Sequence, residues 1–148
     1  MNIKENLKAT GRLTITVFDK EGNLKDTKTV PNLVVTVGKN YIASRMADAS
    51  ATVMNAMAIG SGVVSPAAGD TTLGSELGRA TLTSFTASTN TVTATATFNA
   101  GTGTGAVTEA GIFNNTSSGG TMLCRTTFPV VNKAVGDSIA ITWVVTVS

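Results

Sequence analysis

The sequence predicts a mainly β protein, a two-sheet β-sandwich with a jelly roll as the alternative arrangement, and one short helix near residues 39–48. Three observations carry this. Segment after segment alternates apolar residues with Thr, the period-2 pattern of a half-buried strand. Gly, Asn, Asp and Pro punctuate those segments at short intervals. The period lengthens to a helical one in a single stretch only.

The first strand runs from Gly11 to Phe18, with Leu13, Ile15 and Val17 on one face and Arg12, Thr14 and Thr16 on the other. Asp19 to Asn23 is a turn, and Leu24 to Val30 returns as the second strand of a hairpin. Pro31 has no N–H for a ladder, so it is expected to end that strand or lie at an edge. Tyr41, Ile42, Arg45, Met46 and Ala49 share a helical face, which places the only substantial helix over 39–48. An apolar run from Val53 to Ile59 leads into a Gly-, Ser- and Pro-rich stretch, Gly60 to Leu77. A loop of that length inside a compact domain is expected to make contacts.

Arg79 to Ser88 and Thr91 to Phe98 read as two strands joined by a polar turn at Thr89-Asn90. In the second, Thr91, Thr93, Thr95 and Thr97 line one face, as β-branched residues at ease in water. An ice-binding Thr ladder would require the same spacing repeated on several strands. Gly101 to Gly105 is a connector rather than a phosphate loop, because it leads into the strand-like run Ala106 to Phe113 and not into a helix. Val107 to Phe113, Thr121 to Val131 and Ser138 to Val147 complete eight or nine strands. The last of them is apolar on both faces near Val144 and so is expected in a central position. No internal repeat appears at the 20–50-residue periods of solenoids and propellers.

The 148 residues suit one domain, read as an arm over 1–12 and a sandwich over 13–148. Aromatics are only 5% of the chain, so Phe18, Phe85, Phe98, Phe113, Phe128 and Trp143 are the expected bulky anchors of the core. The N-terminus has no apolar h-region and no apolar run approaches the roughly 18 residues of a membrane span, which predicts synthesis and folding in a cytosol. Cys124 is the only cysteine and is read as a buried structural thiol.

The chain has no His, and residues 49–148 carry only three Lys/Arg and four Asp/Glu. General acid–base, nucleophilic and metal-assisted chemistry therefore have few candidate parts, and no catalytic, cofactor-binding or metal-binding residue is assigned. A Glu76–Glu109 glycosidase pair would lack the aromatic platforms of a sugar cleft. The net charge of +2 is too small for a phosphate-tracking surface, so neither nucleic acid nor membrane is expected as a partner.

Glu109 lies between Val107 and Ile112 in a strand pattern. A carboxylate so placed needs a cation, and Arg79 or Arg125 is the expected partner. The expected partner-contact residues are Lys4, Lys8 and Arg12 of the arm, with Ser65, Pro66, Asp70 and Leu73 of the long loop. The N-terminal basic residues, including Lys20, Lys25 and Lys28, also fit a solvated hairpin face, since Glu5, Asp19, Glu21 and Asp26 are interspersed among them.

Five blocks in order carry a resemblance: Val-Pro-Asn-Leu-Val-Val-Thr-Val-Gly-Lys-Asn-Tyr-Ile-Ala-Ser-Arg (30–45), Ala-Ile-Gly-Ser-Gly through Leu-Gly-Arg (58–79), Thr-Glu-Ala-Gly-Ile-Phe-Asn (108–114), Gly-Gly-Thr-Met-Leu-Cys-Arg-Thr-Thr-Phe (119–128) and Ile-Thr-Trp (141–143). Together they resemble small virion proteins of tailed bacteriophages, of the capsid cement or decoration type and of the tail- or fibre-associated type. The resemblance implies a β-sandwich that forms a homo-oligomer, a trimer being favoured, and binds the major capsid protein or other virion proteins. It implies no cofactor, and a location in the virion after synthesis in the host bacterial cytoplasm. Capsid cement is the leading expectation, a tail, neck or fibre adaptor the second. A carbohydrate- or receptor-binding module is the third, and it would need exposed aromatics.

Overall fold

The computed structural model describes residues 1–47 and 50–148. The expected end of the helix at position 48 lies outside the described residues. Strand β1 (Ala9–Phe18) and strand β2 (Leu24–Val34) form the first hairpin, and helix α1 (Thr36–Ala47) follows. Then come β3 (Ala56–Gly60), β4 (Glu76–Thr81), β5 (Ser84–Ser88), β6 (Thr91–Phe98), β7 (Gly105–Phe113), β8 (Met122–Lys133) and β9 (Ser138–Val147). All nine strands join one curled antiparallel sheet in the order β4-β3-β7-β8-β2-β1-β9-β6-β5.

Two crossings produce the curl. β2 pairs with β1 from Leu24 to Asn32, and then Leu33 and Val34 pair with Arg125 and Cys124 of β8. Pro31 sits inside this strand, at the bend where the partner changes, and its carbonyl accepts the Thr126 hydroxyl at 2.6 Å. The expected single strand over 79–88 likewise divides. β4 ends at Thr81 on β3, β5 begins at Ser84 on β6, and these are opposite ends of the sheet order. Three residue steps span at most about 10 Å, so the two ends of the sheet must approach each other. Leu82 and Thr83 hold the junction, their N–H groups donating to Asn55 O at 2.9 Å and Thr95 O at 2.7 Å.

Inside the curl, Leu13, Ile15, Val17, Met57, Ile59, Phe98, Ile112, Ile139, Ile141 and Trp143 pack into one core. Three of the six expected anchors are not in it, and one of these, Phe113, is buried in a second cluster instead. Phe18 is half-buried at the end of β1, and Phe85 is 36% exposed on the terminal strand β5. A second cluster lies on the opposite face of β3 and β7: Val35, Ala56, Ala58, Leu73, Phe113 and Met122. This explains why every residue of β3 is buried. Its inner face meets the main core and its outer face is covered by the chain from Gly60 to Leu77.

β1 begins at Ala9, so residues 9–12 of the expected arm belong to the sheet, paired with Val144 to Val147 of β9. The first eight residues lie outside it. β9 runs between β1 and β6, the central position expected, with one face buried in the core and the other, Ser138, Ala140, Thr142, Val144 and Thr146, half-buried or exposed. The helix starts at Thr36, earlier than the spacing predicts, and Gly38 is its one buried residue, because a Cβ there would run into the Leu123 carbonyl. No described helix is long and apolar enough to cross a membrane.

Candidate functional site

β7 is a central strand, flanked by β3 and β8, and Glu109 projects from the face that the 60–77 segment covers. The residues opposite it are small or polar: Gly60 on β3 and Thr127 on β8. Its side chain is 0% exposed. Glu109 Oε1 accepts the Gly62 N–H at 2.8 Å and the Ser75 N–H at 2.7 Å. Oε2 accepts the Gly74 N–H at 2.8 Å together with Arg125 Nε at 3.1 Å and Nη2 at 2.8 Å. One carboxylate thus holds both ends of the loop.

Arg125 extends the same network. It is 3% exposed, and Nη1 donates to Asp70 Oδ2 at 2.9 Å while Nη2 also donates to Val64 O at 2.9 Å. Asp70 Oδ2 in turn accepts the Ala67 N–H at 2.9 Å, closing the loop's own turn. Thr108, at a bulge in the β7–β8 pairing, donates its hydroxyl to Gly62 O at 2.7 Å. Burial pushes the Glu109 carboxyl up, but the hydrogen bonds from Ser75, Gly74, Arg125 and Gly62 outweigh it and hold the group below its ordinary range.

The glycines around this carboxylate have a steric role. A Cβ on Gly62 would lie 2.5 Å from Glu109 Oε1, and a Cβ on Gly60 would meet the same oxygen at 2.5 Å. The Gly60-Ser-Gly62 run is where the backbone must approach the carboxylate closely enough to donate to it.

The structure separates the two candidate arginines. Arg79 does not reach Glu109. It lies over the Phe113 ring, 4.2 Å from the centroid, pairs with Glu76 at 2.7 Å, and donates Nη1 to Asn115 O at 2.7 Å and Gly119 O at 2.9 Å. It ties the 114–120 loop to β4, with a cation–π contact beneath it.

The expected contact residues also divide. Leu73 is buried in the second cluster and Asp70 is committed to Arg125, so both face inward and hold the loop in place. This corrects the expectation that they present themselves to a partner. An apolar side chain lowers its free energy by covering β3 and β7, and a carboxylate by meeting a guanidinium. Ser65 remains exposed and Pro66 half-buried, beside Val63 and Val64 at 78% and 75% exposure. Val63 adjoins Pro129 and Val130 across a shallow groove. Sequence reasoning missed this apolar tip; the signal was Val63-Val64 directly after a Gly-Ser-Gly run. Lys4, Lys8 and Arg12 are exposed at the other end of the chain's path. Among the other basic residues, Lys25 pairs with Asp137 and Lys28 lies 3.7 Å from Asp26.

No family model, curated protein or solved structure matches this chain. Both oxygens of Glu109 are held by donors from the loop and Arg125, which suits a fastener. Among the described residues, no group of three or more His, Cys, Asp or Glu could hold a metal ion. Burial pushes the Cys124 thiol far up, away from a reactive thiolate.

The hydroxyl residues form one row across five strands and a second, Thr10, Thr146, Thr91 and Ser88, across four, with no continuous lattice joining them. Register places Thr29, Thr14, Thr142, Thr95 and Ser84 side by side on five adjacent strands. The flanking rows are interrupted by Ala140 in one and by Pro31, Arg12 and Val144 in the other. Several hydroxyls also bond one another, Thr14 with Thr29 at 3.1 Å and Ser84 with Thr95 at 2.6 Å. The repeated spacing that an ice-binding face requires is broken between these two rows, at Arg12 and Val144.

Proposed function

We propose that this chain is a structural protein of a tailed-bacteriophage virion, a capsid cement or decoration protein that binds and stabilises the assembled shell. The observation that carries the reading is the fastening of the 60–77 loop by Glu109 and Arg125. The most deeply buried ionic chemistry of the molecule serves to present a rigid apolar tip, Val63-Val64, rather than to act on a substrate. A preorganised tip loses little entropy on docking. The finer architecture belongs to the same reading: the two halves of the curled sheet, joined at β2 and at Leu82-Thr83, are the two leaves of a sandwich.

The residue blocks that resemble phage virion proteins include the fastener itself, Gly60-Ser-Gly62, Thr108-Glu109 and Arg125. A protein that binds only assembled shell stabilises it by mass action, and many symmetric copies multiply a modest interface. Trp143 is buried, with its Nε1 donating to Asn32 Oδ1 at 3.0 Å, and Tyr41 is half-buried on the helix. That leaves little aromatic surface for a glycan and favours a protein partner.

An electron-microscopy reconstruction of the virion tests this. The expected result is density for this chain across the capsid lattice, at a copy number near that of the major capsid protein. Density confined to the tail or neck would replace the cement reading with the adaptor one. Absence from the particle would remove both.

A further inference from the structure

β5 is the last strand of the sheet, and among the described residues no strand pairs with its outer side. All five of its residues are exposed. Natural sheets protect such edges with Lys, Pro, a bulge or a covering loop. Ser84-Phe85-Thr86-Ala87-Ser88 has no charge and no proline, and it pairs with β6 along its whole length without a bulge. The opposite edge differs. β4 carries Glu76 and Arg79, and the 101–105 loop packs against it so closely that a Cβ on Gly78 would lie 2.6 Å from Gly103 N.

The pattern of β5 points to what covers it. Register puts Ser84, Thr86 and Ser88 opposite Thr95, Thr93 and Thr91 on the hydroxyl face, and Phe85 and Ala87 opposite Ala94 and Val92 on the other. The strand is thus symmetric in polarity about its centre. A two-fold axis through Thr86 sets Ser84 against Ser88, Thr86 against its own copy, and the large Phe85 against the small Ala87.

We propose that β5 is a self-association edge, pairing antiparallel with β5 of a second copy of this chain about a two-fold axis at Thr86. Such a contact is isologous, so each favourable pairing occurs twice. The free backbone groups of each edge satisfy those of the other, as in strand addition. Phe85, the exposed aromatic that the core does not take in, is covered by the partner. No ion is buried, and the hydroxyl row that runs from Thr29 to Ser84 continues into the second sheet.

A five-residue edge covers much less than the roughly 1,600 Å² of a standard stable interface, so the free dimer is expected to be weak. Copies held together on a common surface would be reinforced by their effective concentration. The contact closes at two copies, so in a trimeric protein it would link one trimer to the next. It stands or falls independently of where the protein resides.

Sedimentation of the whole chain over a concentration series up to about 0.5 mM is expected to show a reversible self-association. Thr86→Lys and Thr86→Asp each place like charges across the axis and should weaken it at least tenfold, while an equimolar mixture of the two variants should restore it. Thr86→Cys should form an interchain disulfide under mild oxidation, since directly opposed positions on paired strands bring Cβ atoms within bridging range. Thermal melting of each variant checks that the fold is kept, which exposure at Thr86 favours. The proposal is overturned if the wild-type chain stays monomeric and Thr86→Cys does not cross-link, or if association persists undiminished in Thr86→Lys.

Discussion

Arg125 turns two of its N–H groups onto a single oxygen of Glu109, Nε at 3.1 Å and Nη2 at 2.8 Å to Oε2. The side-by-side fork that arginine usually makes with a carboxylate would occupy both oxygens. Here Oε1 is left to the Gly62 and Ser75 amides, so one buried pair fixes β7, β8 and both ends of the loop.

Glu109→Gln should therefore cost about 2–4 kcal/mol, because whichever way the amide turns it presents N–H groups to donors and leaves Arg125 underpaired. Urea denaturation measures this. Replacing both partners, Glu109→Leu with Arg125→Met, should recover part of the loss, since neither member of the fully buried pair is then left as a lone charge; the recovery is partial because Asp70 loses its guanidinium partner. A loss below about 0.5 kcal/mol for Glu109→Gln would mean that the carboxylate does not hold the loop.

Two glycines on the same loop should respond differently to alanine. At Gly62 the new Cβ would lie 2.5 Å from Glu109 Oε1, while at Gly69 nothing lies within 4 Å. Gly62→Ala should destabilise by about 1–3 kcal/mol and Gly69→Ala by no more than about 0.5 kcal/mol. Equal effects at the two sites would contradict the close approach.

The acid response has a defined sign. The folded state holds the Glu109 carboxyl below its ordinary value, so its contribution is complete above that value and is lost as pH falls through the lowered one. Asp137 behaves alike, through its hydrogen bond from Lys25, the Ala134 amide and the charges of Lys25 and Lys133. Hydrogen-exchange protection at Gly62, Gly74 and Ser75 should fall on acidification in the wild type. In Glu109→Gln it should already be low and vary little with pH.

Cys124 should be inert in the native protein. It is fully buried on β8 and burial pushes its thiol well above the usual range. A thiol reagent should label it only at the rate of unfolding, and denaturant should accelerate labelling in step with the loss of structure. Rapid labelling of folded protein would place this part of β8 at the surface.

Most strand positions along the chain were legible locally. Thr91 to Phe98 and Ser138 to Val147 alternate without interruption, and side chains on a pleated strand must alternate whatever the strand packs against. The break at Leu82-Thr83 was not legible, since Arg79 to Ser88 keeps strand-forming residues throughout and only the approach of Asn55 and Thr95 divides it. Likewise the need of Glu109 for a cation was readable from its neighbours, but Arg79 and Arg125 were equal candidates. Their strands lie on opposite sides of β7, and the Phe113 ring claims one while the loop and Glu109 claim the other.

Local chemistry along the chain is thus enough to establish that the protein is mainly β, where most strands run and turn, and that Glu109, a carboxylate set among apolar strand residues, must be neutralised. Short-range geometry and the cost of an unpaired buried charge impose all three. Long-range contacts set the rest: Gly60 to Leu77 folds inward on Leu73 and Asp70, Phe85 stays outside the core, and one edge of the sheet is left open. Each of these depends on which strands become neighbours after the sheet curls, and contacts between residues so distant in the chain leave no periodic trace in it.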